Sequence, residues 1–147
     1  MKEMGLAFTL HQYRYEERGG TEAAARELGV DECMIVKTLV MEDEKKNPFM
    51  VLMHGNRHVS TKNMARTLGV KSVQPCEPET AERHTGYRVG GTSPFGTRKP
   101  LRIFVEETIL GLPKIYINAG LRGLLAEIGP KHLAASLGAV PVKVAIE

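Results

Sequence analysis

The sequence has no tryptophan and only four phenylalanines and four tyrosines among its 147 residues. This scarcity does not signal disorder, because a hydrophobic share of 42% and a charged share of 25% are those of an ordinary globular protein. Its two cysteines, Cys33 and Cys76, lie far apart, with no CxxC spacing and no matching set of histidines. That excludes a disulfide framework and reads as free thiols in a reducing compartment, so the expected location is the cytoplasm. No apolar run approaches the roughly 20 residues of a membrane span, and the first residues lack the apolar core and cleavage site of a leader. No membrane partner is expected. Charge of one sign is also lacking: 20 Lys and Arg against 17 Asp and Glu leave +3. That balance permits a limited contact with RNA but not a grip on long DNA by phosphate contacts alone. There is neither a GxGxxG nor a phosphate loop ending in Lys-Ser/Thr, so nucleotide hydrolysis is not indicated. Without repeats, low-complexity tracts or linkers, residues 1–147 read as one domain.

What is present is regular punctuation. Alternation over residues 8–15 predicts a half-buried strand, and Thr21 stands as N-cap to an alanine-rich helix over 22–28 that Gly29 closes. Residues 34–41 are continuously apolar except for Lys37 and Thr38, as in a strand buried on both faces. A charged turn follows, and residues 49–53 return as the hairpin partner. His54 and His58 are four apart but share a face only on a helix, which Gly55 and Asn56 break, so no metal is expected. Ser60 or Thr61 caps a helix ending at Gly69; a short strand over 70–73 and a helix from Pro78 to a close at Gly86 come next. Strands over 102–105, 114–118, 124–128 and 142–145, an acidic helical turn over 106–110 and a helix over 130–137 complete the pattern. Many short strands at hairpin spacing with three or four helices predict an α+β fold: a mixed, mostly antiparallel, partly closed barrel-like sheet with peripheral helices.

Two features resist a purely architectural account. Gly90, Gly91, Thr92, Ser93, Pro94, Phe95 and Gly96 cannot propagate a helix or a ladder. Glycine lets backbone amides reach a ligand, and the two hydroxyls can donate or accept, which suits an anion, a carbonyl or a ribose. An ordinary turn or bulge is the alternative. The second feature is Lys37, a cation amid apolar strand residues with no acid within two positions. It either snorkels its ammonium to the surface, which the spacing alone favours, or sits partly desolvated with its donors turned to a ligand.

Residues 87–96, YRVGGTSPFG, resemble the signature of the YbaK/ProX-like proteins, the aminoacyl-tRNA editing domains related to the insertion domain of bacterial prolyl-tRNA synthetase. VKTLV at 36–40, the stretch 60–69 with its Lys62 and Ala65, and NAGLRGL at 118–124 match in order, so the resemblance covers nearly the whole chain. It implies a barrel-like antiparallel core, with Lys37 and Thr38 lining an editing pocket. It further implies Tyr13 near the substrate and Asn118 and Gly120 in the turn beside the pocket. The loop of Gly90, Thr92, Ser93, Pro94 and Gly96 would bind substrate there. The YbaK branch tends to carry an aspartate where this chain has Leu125, which opens the choice of amino acid.

On this footing the expected activity is a trans-acting aminoacyl-tRNA deacylase acting on cysteine, alanine or another small amino acid. Its expected partners are the 3′ CCA end of tRNA and a synthetase, with no cofactor. Lys37 and the amide of Gly91, with those of Gly90 and Thr92, would meet the ester and its developing negative charge. No nucleophile with a recognisable base exists, so attack falls to water or to the substrate's own groups. A non-catalytic module binding tRNA ends or a synthetase is the main alternative, and a small-molecule or nucleotide-binding protein the third.

Overall fold

The computed structural model describes residues 8–15, 20–88 and 91–147. Its strands are β1 (Thr9–Gln12), β2 (Ile35–Asp43), β3 (Pro48–His54), β4 (His58–Val59), β5 (Val73–Pro75), β6 (Arg102–Glu106), β7 (Ile115–Asn118), β8 (Leu124–Ile128), β9 (Val140–Val142) and β10 (Ala145–Ile146). The helices are α1 (Gly20–Leu28), α2 (Thr61–Leu68), α3 (Pro78–Thr85) and α4 (Pro130–Leu137). The fold is α+β, as expected. An eight-stranded mixed sheet runs β1-β8-β7-β2-β3-β6-β9, with β5 added to β2. Antiparallel ladders join β1 to β8, β7 to β8, and β2 to both β3 and β5. Parallel ladders join β2 to β7, β3 to β6 and β6 to β9. The path does not close on itself; β1 and β9 stand at its two ends.

Alternation along the central hairpin sorts the core onto two faces. Met41, Val51, Met53 and Phe104 pack with Met64 and Ala65 of α2, and Ile35 packs with Ala24 and Ala25 of α1. On the opposite face Val36, Leu52, Val105 and Ile117 gather with Leu133 of α4, and Val40 and Met50 with Ala81 of α3. Two helices therefore cover each side. Met50, Val51, Met53, Ile115 and Ile117 are wholly buried, each contributing about 1.5–3 kcal/mol of apolar burial.

Three local expectations are corrected. Thr21 is not the cap of α1 but lies inside its first turn, because its hydroxyl is drawn to the Glu32 carboxylate (2.6 Å) and the Gly55 carbonyl (3.0 Å). The strand expected over 70–73 forms instead at Val73–Pro75, since the Val70 amide is still bonded to Ala65 O (3.0 Å) as part of the exit from α2. The single final strand over 142–145 is two, β9 and β10, because a buried carboxylate interrupts it. Glu106, only 1% exposed, accepts the amides of Val144 (2.9 Å) and Ala145 (3.1 Å) together with the amide (2.9 Å) and hydroxyl (2.5 Å) of Thr108. Burial pushes its carboxyl up, but these four donors outweigh burial and hold it below the ordinary range. Among the described residues no helix is long and apolar enough to cross a membrane.

Candidate active site

Strand β2 is partnered along one edge by β3 throughout, and along the other edge only at its two ends. β7 pairs with Ile35 and Val36, and β5 pairs with Met41, Glu42 and Asp43. Between them lies a gap. The carbonyl of Ile35 accepts Gly55 N (2.7 Å) on the β3 side, and that of Val40 accepts Cys76 N (3.0 Å) on the other. Alternation then turns the backbone N–H and C=O of Thr38 into the gap. A cavity of about 650 Å³ opens there, within the roughly 300–1,000 Å³ of small-molecule sites.

The gap gives the cavity two sides. On the side of Ile35 and α1 stand Lys37, Tyr13, Thr21, Asn118 and Leu125; on the side of α3 stand Thr38, Cys76 and Ala81, and Thr92 also lines the cavity. Lys37 is half-buried, its ammonium 3.4 Å from the Gly55 carbonyl. Burial lowers its pKa, and the nearby Glu32 carboxylate only partly restores it. The ammonium is thus not snorkelled into bulk water, and among the described residues it forms no ion pair. Thr38 Oγ1 and Asn118 Oδ1 are buried with no hydrogen-bond partner among the described residues. An orphaned buried oxygen costs about 1–3 kcal/mol, and these two belong to residues that line the cavity. The phenol of Tyr13 is raised in pKa by burial, against the lowering pull of a backbone bond at Gly123.

The expected site residues divide sharply. Lys37, Thr38, Tyr13, Thr92 and Asn118 line the cavity; Gly90 lies outside the described residues. Gly91, Ser93, Pro94, Gly96 and Gly120 are not among the cavity's lining residues. Ser93 is 2% exposed and its hydroxyl accepts the Phe95 amide (3.2 Å) within its own loop. The Gly91 amide donates to Arg88 O (2.9 Å), so it is not free to meet a substrate carbonyl in the way its sequence context suggested. The tight fit lies elsewhere: a Cβ on Gly91 would stand 2.9 Å from Arg122 N and 3.0 Å from Leu121 C. Gly120 has a positive φ of 102°, and a Cβ there would meet the Tyr87 ring at 3.0 Å. The Tyr87 hydroxyl donates to the Phe95 carbonyl within the 87–96 stretch, and it is the ring of Tyr87, against Gly120, that meets the 118–124 turn.

Sequence reasoning missed Tyr15, Arg122, Cys76 and α1 as parts of the wall. Period-two spacing from Tyr13 points to Tyr15, and Arg122 sits inside the NAGLRGL stretch, so both were findable. Cys76 was not, because its place depends on the pairing of β5. Its thiol is pushed up to about 12 by burial and by the Glu42 carboxylate, 3.3 Å away, which leaves it inert as a nucleophile near neutrality.

Comparison with known proteins agrees with this architecture. Residues 16–135 match the family model described as the aminoacyl-tRNA editing domain. EbsC of Enterococcus faecalis, whose name makes it a candidate Cys-tRNA(Pro)/Cys-tRNA(Cys) deacylase, is 32% identical over 118 residues, covering 80% of this chain and 72% of its own. The crystal structure of the hypothetical protein APE2540 superposes with a TM-score of 0.90 at 28% identity, over 99% of this chain and 95% of that one. A structure described as a candidate trans-editing enzyme for prolyl-tRNA synthetase gives 0.85 at 26% identity, over 95% and 87%.

Proposed function

The chain belongs to the aminoacyl-tRNA editing domain family, with a YbaK-like fold, and from that premise we propose that it is a trans-acting deacylase that clears a small amino acid, such as cysteine or alanine, from a mischarged tRNA. The observation that carries this reading is that Lys37, Thr38 and Asn118 line one cavity at a gap in the sheet, the last two with side-chain oxygens that have no partner among the described residues.

The substrate is an ester between an amino acid and a ribose hydroxyl. Water adds to its carbonyl carbon, the bond to the ribose oxygen breaks, and a proton passes to that oxygen; free amino acid and tRNA leave. Negative charge builds on the carbonyl oxygen as water adds. An ammonium held in a half-dry site opposes that charge more strongly than one in bulk water, because less solvent screens it. Lys37 is the group we assign to this role. Thr38 and Asn118 hold the acyl end in register, which turns a bimolecular encounter into a positioned one. Thr92, 8% exposed and among the lining residues, supplies a further hydroxyl. The apolar wall at Leu125 and Ala81 favours a small uncharged side chain.

A panel of tRNAs charged with cysteine, alanine, serine or threonine tests the reading by release of free amino acid. Hydrolysis of at least one mischarged tRNA, lost on Lys37→Ala, is the expected result. If none is hydrolysed, or if Lys37→Ala leaves the rate intact, the proposal is wrong; tRNA binding without turnover would favour a binding module.

A further inference from the structure

A planar cation rests on an aromatic ring at the wall of the cavity. The guanidinium carbon of Arg122 stands 5.0 Å from the centroid of the Tyr15 ring. Both residues line the cavity, with Arg122 exposed and Tyr15 half-exposed. The arrangement is built from both sides. The Tyr13 amide donates to Gly123 O (2.8 Å), and a Cβ on Gly123 would fall 2.8 Å from Tyr13 O. The strand end that carries Tyr15 is therefore pressed against the turn that carries Arg122. Gly91 backs the same turn from behind.

The chemistry assigned to Lys37, Thr38 and Asn118 uses neither member of this pair. A cavity of about 650 Å³ is also larger than a cysteinyl or alanyl group requires. The rest of an aminoacyl-tRNA end is a nucleoside, whose base offers a flat π-face. A guanidinium is planar, weakly hydrated and suited to lie between two such faces, and proteins commonly hold single-stranded ends by stacking on aromatic rings and Arg planes. We propose that the Tyr15–Arg122 pair is the stacking seat for the base of the 3′-terminal nucleoside. This rests on the deacylase reading above and adds the part of the substrate that reading leaves unplaced.

The test uses the full chain and two esters of one amino acid: a CCA trinucleotide, and the same trinucleotide with hydrogen in place of its terminal base. Removing the base is expected to raise KM roughly tenfold or more while kcat stays within about twofold. Arg122→Ala and Tyr15→Leu raise KM by a similar factor on the intact ester and add nothing on the baseless one; Tyr15→Phe retains the preference for the base. A merely structural role would impair both esters equally. Equal handling of the two esters by the unaltered protein overturns the stacking seat and leaves the deacylase reading standing. Equal losses on both esters in the two variants, or dependence on the trinucleotide phosphates with indifference to the base, also overturn it. Hydrolysis of neither ester sinks both proposals together.

Discussion

Gly91 lies flush against the backbone of Arg122: a Cβ added at 91 would stand 2.9 Å from the Arg122 nitrogen. The atom it would strike is main chain and cannot swing aside as a side chain would. The glycine loop and the 118–124 turn are thus two halves of one joint, and the absence of a side chain is what lets them close. Gly91→Ala is expected to push the turn outward, costing about 1–3 kcal/mol of stability and lowering deacylation at least tenfold through displacement of Arg122 and Asn118. Urea unfolding and kinetics on the same preparation check the two effects separately.

Lys37 predicts a trade between stability and activity. Its ammonium is partly desolvated, and it donates to Gly55 O over a long 3.4 Å. Because its folded pKa lies below the ordinary 10.5, the unfolded chain binds more protons between those two values, and this group adds stability as pH rises through that window. Lys37→Met should therefore leave the urea midpoint at neutral pH unchanged or higher, while deacylation falls about a hundredfold or more. A marked fall in the midpoint would show that the ammonium is structural.

Glu106 contributes to the acid limb of stability. Its folded pKa is held below the ordinary 4.5, so its contribution is fully present above that value and is lost as pH falls through the folded pKa. Glu106→Ala leaves the amides of Val144 and Ala145 without their acceptor. The expected loss is roughly 3 kcal/mol at neutral pH, with a flatter dependence on pH below the ordinary carboxylate range. Urea midpoints collected across acid pH measure both.

Leu125 is 1% exposed and lines the cavity. Leu125→Ala removes that side chain from the lining and should cost about 2–5 kcal/mol, while shifting preference toward a bulkier aminoacyl ester. The measurement is the ratio of kcat/KM for a larger and a smaller amino acid on the same tRNA. An unchanged ratio would place specificity elsewhere.

Much of this protein was legible in its sequence because the signals are local. Ser60 caps α2 and Gly69 ends it in a left-handed conformation, as their residue types demand; Pro130 opens α4 and Gly138 closes it the same way. The motifs that carry the family resemblance are short runs read in order. Lys37 could be singled out because a charge amid apolar neighbours departs from strand patterning at one position.

Tertiary structure alone decided where those residues meet. The gap along β2 exists because β7 leaves after Val36 and β5 does not arrive until Met41, and pairing between strands so far apart in the chain leaves no trace in local composition. That gap puts Lys37 and Thr38, adjacent in the chain and opposite in pleat, onto one cavity. Contact with the Leu121–Arg122 backbone likewise makes Gly91 a packing surface, its amide donating to Arg88 O, since close backbone approach is a property of two segments and never of one. Helices and turns follow from neighbours a few residues away; a site made from a missing ladder follows only from the whole sheet.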